Sequence, residues 1–230
     1  MNADDFGISE GVNCGIIEAH EHGIVTSASL MVRWPAAPQA AAYATAHPDL
    51  SVGLHVDLGE WIYRNGGWEP LYQVVAADDC TAVAAELSRQ LDTFRQLMGK
   101  NPTHLDSHQH VHRDEPLRSL MVDAAGQMDI PLRHFTPTIR YCGQFYGQDN
   151  QGNSWPHLVS TESLIATLAS LPPGFTELCC HPGFAAGLET NYLHERELEV
   201  RSLCDPRVLR AVGELALQLC SFADCPRVSG

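Results

Sequence analysis

The chain has 230 residues, a length that favours one domain of α/β type and a core large enough to need no disulfide staples. It is 44% hydrophobic and 18% charged, which excludes wholesale disorder and collagen-like repeats. Fourteen basic against 28 acidic residues leave a net charge of −14. That balance argues against nucleic acid and against an anionic lipid surface as partners.

The sequence opens Met-Asn-Ala-Asp-Asp, with neither a basic nor an apolar leader region, so no secretion signal is read. No stretch approaches the ~18 apolar residues of a membrane span. The eight cysteines include no CxxC pair and fall largely in apolar runs. Free, mostly buried thiols in a reducing cytoplasm are expected.

In chain order, Asn2–Gly7 carries adjacent carboxylates, Asp4 and Asp5, ahead of a helix predicted over residues 9–22 with Ser9 as its N-cap. Successive side chains of an extended segment point oppositely, so the two aspartates are expected to serve different partners. The β-branched run Ile24–Val32 predicts a buried strand, residues 35–47 an Ala-rich helix, and Ser51–Leu58 a strand carrying His55. Glycines and aromatics over 59–80, including Trp61, Tyr63, Trp68 and Tyr72, predict a loop or small hairpin. The apolar stripe of Thr81–Met98 predicts a helix stopped by Gly99. Thereafter strands are expected at 103–107, 130–135 and 175–180, with a last one at 217–222. Helices are expected at 116–128, 161–171, 192–204 and 206–212, and a long polar loop at 137–158.

The alternation of strand and helix implies a parallel sheet with crossover helices, open or closed into a barrel. Neither nucleotide-binding glycine pattern is present. No linker or internal repeat divides the chain, so residues 1–230 are read as one domain.

Four of the 12 histidines lie within nine residues, His104, His108, His110 and His112, with Asp106 among them. Neutral imidazole is the commonest protein metal ligand, and Asp with His suits Zn²⁺ or a harder ion. A solvated polar loop is the alternative. His55 sits among apolar strand residues, where a satisfied core histidine is the alternative to a ligand. His181 follows the apolar strand Phe175–Cys180. Asp4, Asp5, His55, His108 and His181 all fall where predicted strands end, which in parallel α/β folds is where sites form. Arg133, at the end of another predicted strand, is a candidate for binding substrate or pairing with Asp4.

Taken in order, NADDFG, GIVTSASLMV, GLHVDL, THLDSHQHVH and ELCCHPG resemble the YdjC-like carbohydrate deacetylase family. The resemblance runs over nearly the whole chain. It implies a parallel (β/α) barrel-like fold, one divalent metal ion (Mg²⁺ or Zn²⁺), and hydrolysis of acetamido groups in small N-acetylglucosamine oligosaccharides. A homodimer is compatible with it. Carried over by motif, the metal ligands are Asp5, His55 and His108, the general base is Asp4 and the general acid is His181. Asp106 would orient a ligand histidine, and His104, His110, His112, Arg133 and Trp61 would support the site or touch substrate. Other acylated glycans or glycolipids, and a non-catalytic metal-containing sugar-binding module, are the alternative readings. Two departures from the family stand out. Only Met1, Asn2 and Ala3 precede the Asp pair, so the first strand is expected to be stunted and the barrel distorted or incomplete there. Gln109 stands where the family often has His.

Overall fold

The computed structural model describes residues 1–184, 188 and 190–225. Its elements in order are β1 (Asn2–Phe6), α1 (Glu10–Glu21), β2 (Ser27–Leu30), α2 (Ala37–Ala46), β3 (Ser51–Val56), β4 (Gly59–Arg64), β5 (Gly67–Gln73), α3 (Cys80–Met98), β6 (Leu105–Ser107), α4 (Leu117–Met128), β7 (Ile139–Cys142), α5 (Thr161–Ser170), β8 (Phe175–Cys180), α6 (His194–Leu203) and α7 (Pro206–Glu214). Six strands form one parallel sheet in the order β6-β3-β2-β1-β8-β7, and β4 and β5 make a separate antiparallel hairpin. The six strands and their helices build a curled half-barrel, open between β6 and β7.

Alternation within the strands explains where the core and the site lie. In β3, Val52, Leu54 and Val56 join the apolar cluster with Val12, Ile16, Val83, Leu87 and Phe94 of the outer helices. The intervening Ser51, Gly53 and His55 point inside the curl. Ser29 of β2, Asp4 of β1, Asp106 of β6 and Glu177 of β8 do the same, and all four are buried. The apolar core is therefore the layer between sheet and helices, and the concave interior is a packed polar network.

Local sequence chemistry places most elements where expected. Ser9 caps α1 by accepting from the Val12 N–H at 3.2 Å. Asp79 caps α3, and Gly99 ends it in the left-handed region at φ 67°. Asn65 and Gly66, at φ 53° and 83°, form the turn between β4 and β5.

Several expectations are corrected. The first strand is distorted, its register against β2 shifting between Ala3 and Phe6, but it is not incomplete: β1 has five buried residues and lies in mid-sheet between β2 and β8. The strand expected at 24–32 is shorter, Ser27–Leu30. The strand expected at 130–135 reduces to a bridge between Leu132 and Leu105. There the Pro131 carbonyl and the Arg133 N–H pair with Leu105, and His134 turns the chain away at φ 68°. The loop expected at 137–158 contains β7, a strand too short to show a period. No strand forms at 217–222: Ala216 breaks the chain at φ 52°, and Phe222 begins a 3₁₀ turn. All eight cysteines are free, as expected, but only Cys179 and Cys180 are buried.

The β1–α1 turn under Asp5 hangs on Asn13. Its side-chain oxygen accepts from Gly7 N–H at 2.7 Å, and its amide donates to the Ala36 carbonyl at 3.0 Å and to Gln39 at 2.8 Å. Asn13→Ala strands the buried Gly7 N–H and Ala36 carbonyl. The expected loss is about 1–3 kcal/mol of unfolding free energy, read from urea midpoints. An unchanged midpoint would show that the turn is held by something else.

Candidate active site

A cavity of about 690 Å³ opens at the carboxyl ends of the strands, lined by Asp4, Asp5, His55, Glu60, Trp61, His108, Cys179, His181 and Arg196 among others. Asp5 carries a positive φ of 67°, and the register of β1 against β2 shifts between Ala3 and Phe6. This kink corrects the expected opposition of the two aspartates, because both carboxylates now face the cavity. They still serve different partners.

Asp5 Oδ1 lies 3.1 Å from His108 Nδ1 and 3.4 Å from His55 Nε2, and its Oδ2 accepts from Arg196 at 2.6 Å. His55 turns its other nitrogen, Nδ1, to Asp106 Oδ1 at 2.7 Å. Asp106 is itself held by Ser29 at 2.6 Å and by Arg133 at 2.7 Å. Asp5, His55 and His108 thus offer one carboxylate oxygen and two ring nitrogens lying within 4.8 Å of one another.

This donor set fits a divalent cation. A carboxylate and two imidazoles are ligands of Zn²⁺ and similar ions, and a ligand histidine anchored by a carboxylate through its second nitrogen is a recurring arrangement. The electrostatics agree. Burial would lower the His55 pKa, yet Asp106, Asp4 and Asp5 raise it to about 10. His108 is likewise raised by Asp5 against the effect of burial. Both imidazoles recruit protons where a cation would otherwise balance the aspartates.

Asp4 is held by Arg133 through two bonds of 2.7 Å and also accepts from Asn2 at 2.9 Å and from the Cys179 thiol at 3.3 Å. Burial raises its pKa, but the Arg133 guanidinium and His55 overturn that and hold it at about 2. Arg133 also meets Glu177 at 2.6 Å. Of the three carboxylates sharing this one guanidinium, Glu177 is the one that can hold a proton near neutrality, pushed up to about 7 by burial. His181 Nε2 stands 3.8 Å from Asp4, and burial lowers its pKa to about 4, so the ring is neutral at pH 7.

The remaining histidines of the dense cluster sit outside the carboxylate–imidazole centre. His104 bonds Ser29 and Thr103, both at 3.0 Å, and stacks on Phe222. His112 is held by Ser107 at 2.6 Å and the Arg133 carbonyl at 3.2 Å. His110 meets the Tyr141 hydroxyl at 3.1 Å in the cavity wall. Of the hairpin aromatics, Trp61, Tyr63 and Trp68 line the cavity, while Tyr72 turns away to Asp57 at 2.9 Å.

Arg196, Glu199, Glu60 and Tyr192 are absent from the sequence reading. Arg196 and Glu199 belong to α6, whose run of charges reads as a solvated face, yet both are buried. Glu199 accepts from the Tyr192 hydroxyl at 2.5 Å and from the His181 N–H, and burial pushes its pKa up to about 8. Tyr192 stacks on Tyr146 at 4.7 Å, and both edge against His181. No signal in the sequence separates these charges from solvated ones.

Fold and site together define a class: parallel α/β half-barrels with a carboxylate–bis-imidazole centre and a paired Asp and His at the strand ends. Within that class, the family described as YdjC-like protein matches residues 1–214, and the chain belongs to it. It is similar to a carbohydrate deacetylase from Geobacillus stearothermophilus, 32% identical over 247 residues covering 97% of this chain and 96% of the relative. It is also similar to a chitooligosaccharide deacetylase from Serratia marcescens, 32% identical over 262 residues covering 97% of each. A crystal structure from Enterococcus faecalis V583, of a protein put forward as a cellobiose-phosphate cleavage protein, superposes with a TM-score of 0.77. That pair shares 25% identity over 96% of both chains.

The Arg133 cluster carries a stability prediction. Arg133→Met strips the shared guanidinium from buried carboxylates, for an expected loss of about 3–5 kcal/mol. The acid limb should change too. Asp4 is depressed from 3.8 to about 2, so its contribution is present above pH 3.8 and is lost as pH falls through about 2. Urea midpoints taken between pH 5 and pH 2 should fall across that window in the wild type and flatten in Arg133→Met. Parallel acid limbs would reject the assignment.

Proposed function

We propose that this chain is a metal-dependent carbohydrate N-deacetylase, hydrolysing acetamido groups of small N-acetylglucosamine oligosaccharides. The observation that carries the reading is the meeting of two sets of groups in one cavity. The cation-competent trio Asp5, His55 and His108 stands beside the Asp4–His181 pair. The names of the Geobacillus and Serratia relatives support the substrate class. The aromatic walls, Trp61, Tyr63 and Trp68 on one side and Tyr146 and Tyr192 on the other, suit the faces of sugar rings.

Asp5, His55 and His108 would hold the divalent cation, and two imidazoles with one carboxylate favour Zn²⁺ over Mg²⁺. Such a cation, when bound, polarises the amide carbonyl and makes a water acidic enough for a weak carboxylate base. Asp4 is that base. Arg133 keeps it ionised and aimed at the cavity, placed to take a proton from an attacking water as the new bond forms. His181 is neutral at rest, so the proton it delivers must arrive during the reaction. Asp4, 3.8 Å from Nε2, is the adjacent source, and the leaving nitrogen is the destination. Asp106 keeps His55 in the tautomer whose Nε2 lone pair faces Asp5. Arg196 fixes the second oxygen of Asp5.

Acetate release from diacetylchitobiose, with and without chelator, tests the reading. Asp4→Asn should reduce turnover by about 10³-fold or more while metal content stays near that of the wild type. His108→Ala should lose both. Full activity in Asp4→Asn would remove the assigned base. Sugar binding without acetate release in the wild type would instead make the chain a binding module.

A second measurement needs no substrate. Because Asp106 and Asp5 raise the pKa values of His55 and His108, Zn²⁺ uptake by the metal-free protein at pH 7 must expel protons. Calorimetric titrations in buffers of different ionisation enthalpy should show net proton release. Heats independent of buffer would mean that these imidazoles are not the ligands.

A further inference from the structure

We infer that Glu60 Oε2 and His108 Nε2 form a two-sided receptor for one ring hydroxyl of the substrate sugar. This rests on the carbohydrate reading above and deepens it. Glu60 has no part in the chemistry described above, and His108 enters it through Nδ1, the nitrogen turned to Asp5.

The backbone brings Glu60 there by a specific device. The register of β4 against β5 shifts between Glu60 and Trp61, so neighbours that would face opposite ways in a regular strand both line the cavity. Gly59 precedes them at φ 148°, and a Cβ at that position would lie 2.7 Å from the Tyr72 carbonyl oxygen. The hairpin is then fastened beside His108. The Gln109 side-chain amide accepts from Trp61 N–H at 2.9 Å and donates to the Trp61 carbonyl at 2.8 Å, as an extra strand would. Gln109 is thus the clasp between the hairpin and the segment that carries His108.

The hydrogen-bond inventory leaves a gap of defined chemistry. Glu60 is 6% exposed, and its Oε1 accepts from the Thr190 hydroxyl at 2.9 Å. Among the described residues its Oε2 accepts no hydrogen bond. The nearest polar ring atom is His108 Nε2 at 4.0 Å, too far for a direct bond. That Nε2 is buried and has no partner. His108 turns Nδ1 to Asp5, so when Nδ1 serves as a ligand the proton sits on Nε2, which must donate. The pair therefore presents one donor and one acceptor across a space open to the cavity. A hydroxyl answers both at a single oxygen, accepting from Nε2–H and donating to Oε2. A carbonyl has nothing to give Glu60, and an ammonium has no lone pair for Nε2–H.

A cycle between enzyme and ligand tests this. Diacetylchitobiose and its single-deoxy analogues are titrated into the zinc-loaded Asp4→Asn protein, with and without Glu60→Gln. One deoxy analogue should bind on the order of 10- to 100-fold more weakly than the parent. Glu60→Gln should weaken the parent by a similar factor and should no longer distinguish that analogue from it. Because Thr190 orients the amide oxygen, Gln presents N–H where an acceptor is needed, while the fold, checked by thermal midpoint, is retained. Equal losses for every analogue, or no loss for the parent, overturn the receptor. Absence of acetate release by the wild-type enzyme, with the cycle intact, would overturn the deacetylase reading and leave the receptor standing.

Discussion

The structure depends on one buried cation. Arg133 leaves the sheet edge beside β6 and reaches across the concave interior to Asp4 of β1, Asp106 of β6 and Glu177 of β8. In an all-apolar barrel these strands would be held by interdigitated side chains. Here the interior faces are polar, so the guanidinium takes that part, and its planar fork suits several carboxylates at once. Its position also sets the chemistry. Asp4 is pinned and kept ionised, and Asp106 is left an oxygen with which to orient His55. The groups that hold the half-barrel together are the groups that aim its site.

Such an interior is stable only if its charges are nearly balanced, since an unpaired buried charge costs several kcal/mol. Asp4, Asp5 and Asp106 are ionised, and Arg133 and Arg196 answer two of them. The pull that raises His55 to about 10 and His108 above its usual value measures what is left over. A divalent cation meets the same demand with the same atoms. With the proposed ligands, cation binding and the stability of the interior would be coupled through the same carboxylates.

Much of this was legible in the sequence, and the physical reason is locality. His55 and His181 lie at the ends of strands whose apolar runs announce them, Asp4, Asp5 and His108 stand in or beside short strands, and parallel topology brings strand ends together. The paired carboxylates were expected to point apart, and only the positive φ of Asp5 reverses that. Arg196, Glu199 and Glu60 were not legible. A charged residue on a helix or hairpin reads as solvated, and burial of these three is decided by tertiary packing, of α6 against α1 and α5 and of β4 against the segment that carries His108. The fold failures have the same origin. The 217–222 segment has strand composition but follows a break at Ala216 and ends in a 3₁₀ turn, whereas β7 is only four residues long and gains its place by pairing with β8.

The hairpin β4–β5 belongs to a different level of organisation from the sheet. It shares no ladder with the six strands. Asp57 anchors its base by accepting from Gly59 N–H at 3.0 Å and the Tyr72 hydroxyl at 2.9 Å, and Gln109 clasps its rim. Those attachments are polar, few, and set at positions the catalytic network does not use. The half-barrel can therefore keep its Asp–His–Arg interior fixed while the hairpin changes the shape and polarity of the cavity wall. On the proposed function, the hairpin residues Glu60, Trp61, Tyr63 and Trp68 would shape the choice of sugar, and His108 would be shared between recognition and chemistry.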